Sequence, residues 1–276
     1  MDSDSLYYSL DLVPGCGNIL SAEQRAALQT SLAILKKNYK FQRVLFWGKI
    51  MGLTEDYLIA QGRGEDEMKD RKYLYSFNCM DWFLLPTITD SMIEQVAKAA
   101  KGCFTGDPSF VYEPKTHSYT AADNAADEDA ETKVTEEKRL AVTVHHIDEE
   151  VSVVPRGAFI KTPHGLVQTN CSFGGLSDSE ARKLHNFMHF SQPRKSQKKS
   201  ILKMGEWSPA IDFLDVLTDD TPKGSWSLQF QCASKVCVLH SLLWLGLTFY
   251  HVPMTPQHGY IYIGDGLKSL DLPFML

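Results

Sequence analysis

His185 and His189 stand four residues apart, a spacing that on a helix puts two imidazoles on one face within reach of a single metal ion. The residues between them, Asn186-Phe187-Met188, lack the glutamate that a zinc protease carries there, and no third ligand is evident. The pair is therefore read as closing the last turn of a helix, where positive charge is favourable against the helix dipole. His145 and His146 are adjacent in what reads as a strand, so their rings face opposite sides and cannot share a metal. Asp56-Tyr57 could serve acid–base chemistry, but an aspartate ending a turn more often accepts backbone hydrogen bonds there.

The thiols give no clearer signal. Cys16, Cys79, Cys103, Cys171, Cys232 and Cys237 form no Cys-x-x-Cys pair, which leaves neither a zinc site nor a dithiol redox motif. Reduced thiols follow, with Cys232 and Cys237, either side of a short turn, as the one pair that could meet across a hairpin. A Cys–His nucleophile stays open, because such partners meet only in the fold. There is no Gly-x-Ser-x-Gly elbow and no Gly-x-x-x-x-Gly-Lys phosphate loop, and Gly264-Asp265-Gly266 lacks the third glycine of a dinucleotide fingerprint. No catalytic residue, cofactor or metal is expected from these motifs.

What the chain has in excess is aromatic side chains in strand-like runs: Trp47, Tyr57, Tyr73, Tyr75, Trp82, Trp226, Trp244, Phe249, Tyr250, Tyr260 and Tyr262. Tryptophan and tyrosine combine large contact area with a polar tip, which suits a core and a subunit interface alike. Trp47, Tyr57, Trp244, Phe249, Tyr250, Tyr260 and Tyr262 are the interface candidates, and an interaction protein is the leading class.

Bulk properties narrow the class further. The 276 residues are 43% hydrophobic and 22% charged, enough for a substantial core and unlike a disordered chain. A net charge of -6 argues against nucleic acid as the main partner. The one basic cluster, 194–203, reads as a solvated loop. No apolar run approaches the roughly 20 residues of a membrane helix, and the acidic start, Met-Asp-Ser-Asp, is unlike a basic secretory leader, so the expectation is a cytoplasmic protein with no membrane partner.

These residues need elements to hold them. Ser21 with Gln24 forms a capping box ahead of Leu28, Leu32, Leu35 and Tyr39, which predicts a helix over 21–39. Residues 44–51 alternate and turn at 52–56 into 57–60, a β-hairpin with large apolar groups on both faces and a bulge or close approach at Gly48. A strand within 72–86 and a helix from Thr89 towards Gly102 come next. Residues 115–138 carry almost nothing to bury and read as a mobile acidic insertion within one domain spanning 1–276. Strands are predicted at 139–144 and 150–154, a helix from the Ser177/Glu180 capping box to about Phe190, and another from Ser208-Pro209 through Phe213, Leu214 and Leu217. The last sixty residues read as strands "SWSLQF", "KVCVLHSLLW", "LTFYHV" and "GYIYIG". Strands in hairpins, with helices packed on them, make the class α+β with an antiparallel sheet.

In combination, "LFWGKIMGLTEDYLIAQG", "VVPRGAFIKTPHGLV", "SLLWLGLTFYHVP" and "YIYIGDGLKSLDLPFML" resemble the radial spoke head proteins of motile cilia and flagella, in order and over nearly the whole chain. A more distant similarity is to the 4/6 type, which has comparable Trp-Gly…Asp-Tyr and Trp-x-Gly stretches. Leu245 departs from the pattern, standing where the family usually has proline, which puts the rigidity of that turn in doubt. The acidic segment 123–137 is of a kind that varies in the family. The resemblance implies a non-enzymatic head subunit in the cilium and flagellum axoneme, relaying signals between the central pair and dynein arms in ciliary and sperm motility. Implied partners are 4/6-type head proteins, radial spoke head protein 1 and the spoke stalk. The competing readings are a cytosolic adaptor unconnected with cilia and an enzyme with an unrecognised Cys/His centre.

Overall fold

The computed structural model describes residues 1–13, 20–112, 133–194, 208–232 and 235–275. A short helix α1 (Leu6–Asp11) precedes α2 (Ala22–Asn38), whose capping box forms in both directions between Ser21 and Gln24. Strands β1 (Arg43–Ile50), β2 (Tyr57–Arg63), β3 (Arg71–Ser76) and β4 (Phe83–Leu84) then run as an antiparallel meander. The next elements are α3 (Asp90–Ala99), the paired β5 (Val111–Tyr112) and β6 (Val134–Thr135), and α4 (Glu136–Val151). A smaller layer holds β7 (Val153–Pro155), β8 (Phe159–Lys161), β9 (Val167–Thr169), α5 (Asp178–Ala181) and β10 (Phe187–His189), with β7 paired to β10 and β8 to β9. A second meander, β11 (Trp226–Gln231), β12 (Val236–Ser241), β13 (Leu247–His251) and β14 (His258–Gly264), precedes the short α6 (Leu272–Met275).

The two meanders join edge to edge in one eight-stranded sheet, β11-β12-β13-β14-β1-β2-β3-β4, and the seam β1–β14 is its single parallel pairing. At that seam Gly48 sits at φ 151°, and a Cβ there would lie 1.9 Å from the Tyr262 carbonyl oxygen. Only glycine fits. The same position is a bulge: Phe46 faces Ala60, but Gly48, not Trp47, faces Ile59. The extra residue switches faces, because Val44 and Phe46 pack with α2 whereas Trp47 and Ile50 pack with α4.

Both sides of the sheet are covered, which is why its strands are apolar in both directions. Leu28, Leu32 and Leu35 of α2 meet Phe46, Leu58, Tyr250 and Ile261 on one face. Leu140, Val144, Ile147 and Val151 of α4 meet Trp47, Ile59, Phe249 and Tyr262 on the other. The architecture is the α+β, mostly antiparallel single domain that the hairpin pattern implies.

Four local expectations are corrected. Residues 139–144 and 150–151 are helical, inside α4, because Leu140, Val144, Ile147 and Val151 keep helical spacing and Thr135 caps the start through Lys138 N. Residues 134–138 do not belong to the mobile insertion expected over 115–138, since Val134 pairs in β6 and Glu136 is buried at the start of α4; residues 113–132 lie outside the described ones. The Ser177/Glu180 box opens one turn only, and the chain is a strand again by Phe187, which must pair with Pro155. After Ser208 there is a turn, and Leu217 begins a short 3-10 segment in place of a helix flank. Most of the basic cluster, at 195–203, lies outside the described residues.

Candidate functional site

The chemistry of this fold concentrates where α4 crosses the sheet. Asp148 is 1% exposed and receives hydrogen bonds from Trp47 Nε1 at 3.2 Å and Tyr260 OH at 2.5 Å on Oδ1. Its Oδ2 accepts from Tyr73 OH at 2.7 Å and Gln61 Nε2 at 3.1 Å and forms an ion pair with Arg71. Burial by itself would raise the Asp148 pKa, but the Arg71 guanidinium and the two tyrosine hydroxyls outweigh it and hold the carboxyl below its ordinary value. The same burial, with the carboxylate close by, pushes Tyr73 and Tyr260 upward, so both phenols stay protonated donors.

From Asp148 the charges continue across the small layer. Arg71 also donates to the Phe190 carbonyl at 2.7 Å, and the Arg63 and Arg71 guanidinium carbons lie 5.0 and 4.8 Å from the centre of the Phe190 ring. Arg63 bonds Gln61 Oε1 at 2.9 Å and Glu67 Oε2 at 3.0 Å, and Arg43 bridges Glu67 at 2.9 Å to Asp2 at 2.8 Å. Three carboxylates and three guanidiniums thus alternate along one line, each buried charge facing an opposite one.

Two more carboxylates of α4 repeat the pattern. Glu136 accepts from Tyr57 OH at 2.7 Å, Tyr112 OH at 2.6 Å, and the Thr105 and Gly106 amides, both at 2.8 Å. Glu150 takes Trp244 Nε1 at 2.7 Å and Lys268 Nζ at 2.7 Å. Trp47, Tyr57, Trp244 and Tyr260 therefore turn their polar tips inward onto one helix. On the opposite face Tyr250 OH donates to Ser9 Oγ of α1 at 2.7 Å. Tyr262 OH accepts from Gly266 N at 2.9 Å, and Phe249 packs edge-on to Phe187 at 5.6 Å.

All seven interface candidates are consequently core residues, from Tyr57 and Phe249 at 0% exposure to Trp244 and Tyr260 at 6%. Their side chains offer no area to a partner in the folded chain; they fix the shape of the sheet instead. Glu136, Asp148 and Glu150 went unmarked in the sequence because their partners lie far away, Trp47 being 101 positions from Asp148. Helical phasing of α4 is the signal that could have found them.

The other reactive groups are dispersed through the fold. Burial pushes the Cys79 thiol up to about 11 and Cys237 up to about 12, away from thiolate chemistry. Cys232 and Cys237 are both free: the last β11–β12 pair is Gln231 with Val236, so Cys237 points into the core opposite Phe230 while Cys232 is exposed beyond the ladder. His185 is exposed in a 3-10 turn whereas His189 is buried in β10 and bonded to Asp220 at 2.9 Å, so they share no helix face. His145 and His146 follow each other on α4, not on a strand. Among the described residues no three His, Cys, Asp or Glu side chains come together as a metal site. Asp56 holds its turn by accepting from Gly52 N at 3.2 Å, and it pairs with Lys49 at 2.8 Å. No helix among the described residues is long and apolar enough to cross a membrane.

Comparison with known proteins gives this scaffold a context. Residues 4–78, from α1 through β3, match the family described as radial spokehead-like protein. The chain is 62% identical to radial spoke head protein 9 homolog of Danio rerio, 48% identical to that of Xenopus tropicalis and 47% identical to that of Homo sapiens. Each comparison covers 100% of this chain and 100% of the relative.

Proposed function

The chain belongs to the radial spoke head protein 9 family, and from that premise we propose that it is a structural, non-enzymatic subunit of the radial spoke head in the ciliary axoneme. Its work there is to help assemble the head and to carry signals between the central pair and the dynein arms during ciliary and sperm motility. The observation that carries this reading is similarity running from one end of the chain to the other. The carboxylates of α4 support it, since they are occupied in tying helix to sheet.

A sheet clamped on both faces suits a part that passes on force. Packed protein interiors compress little and transmit strain, so load applied at one edge reaches the other with small internal rearrangement. Partners of this reading are the 4/6-type head proteins, radial spoke head protein 1 and the spoke stalk. The test is to mix the purified chain with a 4/6-type head protein and measure the mass of the product by size exclusion with light scattering. A stable complex at micromolar concentration is the expected result. Two separate folded species, also in the presence of radial spoke head protein 1, would contradict it.

A further inference from the structure

Among the described residues the sheet has two edge strands of unequal length: β4 has two residues and β11 has six. The six, Trp-Ser-Leu-Gln-Phe-Gln, include no charge and no proline. Natural edge strands carry charge, proline or a cover, because an open ladder templates pairing with another chain. The hydrogen-bond phase says which backbone groups lie open. Leu242 N donates to the Ser225 carbonyl at 2.9 Å, and the same register continues from Trp226 opposite Ser241 to Gln231 opposite Val236. Bonded and non-bonded pairs alternate in an antiparallel ladder, so Ser227, Gln229 and Gln231 bond β12 while Trp226, Leu228 and Phe230 turn their N–H and C=O outward. Among the described residues nothing bonds those outward groups.

This edge is complementary to itself. Directly opposite residues of an antiparallel pair lie on the same face of the sheet. Two copies related by a two-fold axis through Leu228 would therefore set Trp226 against Phe230, Leu228 against Leu228 and Ser227 against Gln229. Apolar meets apolar on the face that continues the α4 core, and polar meets polar on the other. In this register the outward groups of Trp226, Leu228 and Phe230 meet only one another, each opposite pair exchanging both of its hydrogen bonds. The ladder ends with Gln231, since Cys232 at φ 51° leaves the strand. Charge agrees with the same register. The Arg182 guanidinium carbon stands 4.6 Å from the centre of the Phe230 ring, at one end of β11, and Asp220 holds Trp226 Nε1 at 2.7 Å at the other. Setting Phe230 against Trp226 carries Arg182 of one copy towards Asp220 of the second, at both ends of the ladder.

We propose that β11 is a self-association edge: a second copy of this chain pairs with it, antiparallel about Leu228, and joins two eight-stranded sheets into one across a two-fold axis. A single strand edge buries less than the roughly 800 Å² per partner of a stable interface, so the expected dissociation constant is about 10–100 µM. The experiment is sedimentation equilibrium at concentrations on both sides of that range, with melting curves, for the wild-type chain, Leu228→Lys and Arg182→Glu. Wild type should pass from 31.1 kDa to twice that mass. Leu228→Lys sets like charges opposite each other on the axis and should weaken association about tenfold or more. Arg182 is exposed, so Arg182→Glu should melt like wild type and weaken association about threefold. Leu228→Cys should form a disulfide between copies under mild oxidation, recovered as a peptide linked to itself, because a hydrogen-bonded pair brings the two Cα atoms to about 5.5 Å. If Leu228→Lys melts early, Arg182→Glu and Leu228→Cys decide. A wild-type chain that stays monomeric throughout overturns the proposal. So does a dimer that the folded variants leave unweakened, or one that yields no self-linked peptide. Substitutions that instead weaken the complex with a 4/6-type head protein would give the edge to another chain and overturn the second copy, leaving the spoke-head reading in place.

Discussion

Asp148 takes donors from β1, β2, β3 and β14, and that convergence sets what single substitutions should do. Asp148→Asn keeps the shape but leaves the buried Arg71 without a counterion, and should cost about 3–5 kcal/mol in urea unfolding. Replacing the pair together, Asp148→Leu with Arg71→Met, should cost no less, because Trp47, Gln61, Tyr73 and Tyr260 then lose their acceptor. His251 contributes to the pH dependence beside His146, His240 and His258, whose pKa values burial also lowers. His251 is fully buried, its Nε2 accepts from Leu176 N at 3.1 Å, and its Nδ1 donates to the Gln257 carbonyl at 2.9 Å, so the ring must be neutral. Burial lowers its pKa from 6.5. The unfolded chain therefore takes up the proton first: this contribution is complete above 6.5 and is lost as the pH falls towards the lowered folded value. Unfolding free energy measured at about pH 7.5 and about pH 5.5 should drop towards acid, and His251→Gln should remove part of that slope, the rest belonging to groups such as His258. None of these pairings was legible in the sequence, because a carboxylate and its donor many tens of residues apart leave no local pattern.

Elements with local signals were legible, and those that depend on a distant partner were not. The Ser21–Gln24 box and the leucine spacing after it gave α2 nearly to the residue, and the hairpin of β1 and β2 followed from alternation around a turn. The strands of the second meander were equally plain. In α4 the β-branched Val142, Thr143 and Val144 suggested a strand, but contact with the sheet outweighs that weak preference once Leu140, Val144, Ile147 and Val151 can share a face. The stretch 182–190 leaves the helix because its backbone is needed by β7. Gly48 was read as a bulge or a close approach and is both. Gly48→Ala must move β1 away from β14 at the one parallel seam and should cost about 3 kcal/mol from overpacking and an unfavourable φ together. A differential scan should show this as a fall of roughly 5 °C in Tm.

At the scale of the whole molecule, two meanders joined through β1 and β14 and clamped by α2 and α4 should behave as one body. Amides at the centre of that sheet, in β1, β2, β13 and β14, should exchange hydrogen only through global unfolding, while those of the open β4 edge exchange faster. Uniformly fast exchange across the β1–β14 seam would show two independently moving halves. That rigidity fits the force-passing role proposed above, and the aromatic side chains in strand-like runs face inward because they make the frame. The most direct measurement is electron tomography of axonemes from ciliated cells deprived of the chain and then supplied with it again. The account predicts that spoke-head density is lost or incomplete without the chain and returns with it, beside a ciliary beat that fails and recovers in step. Intact spoke heads in axonemes lacking the chain would contradict it.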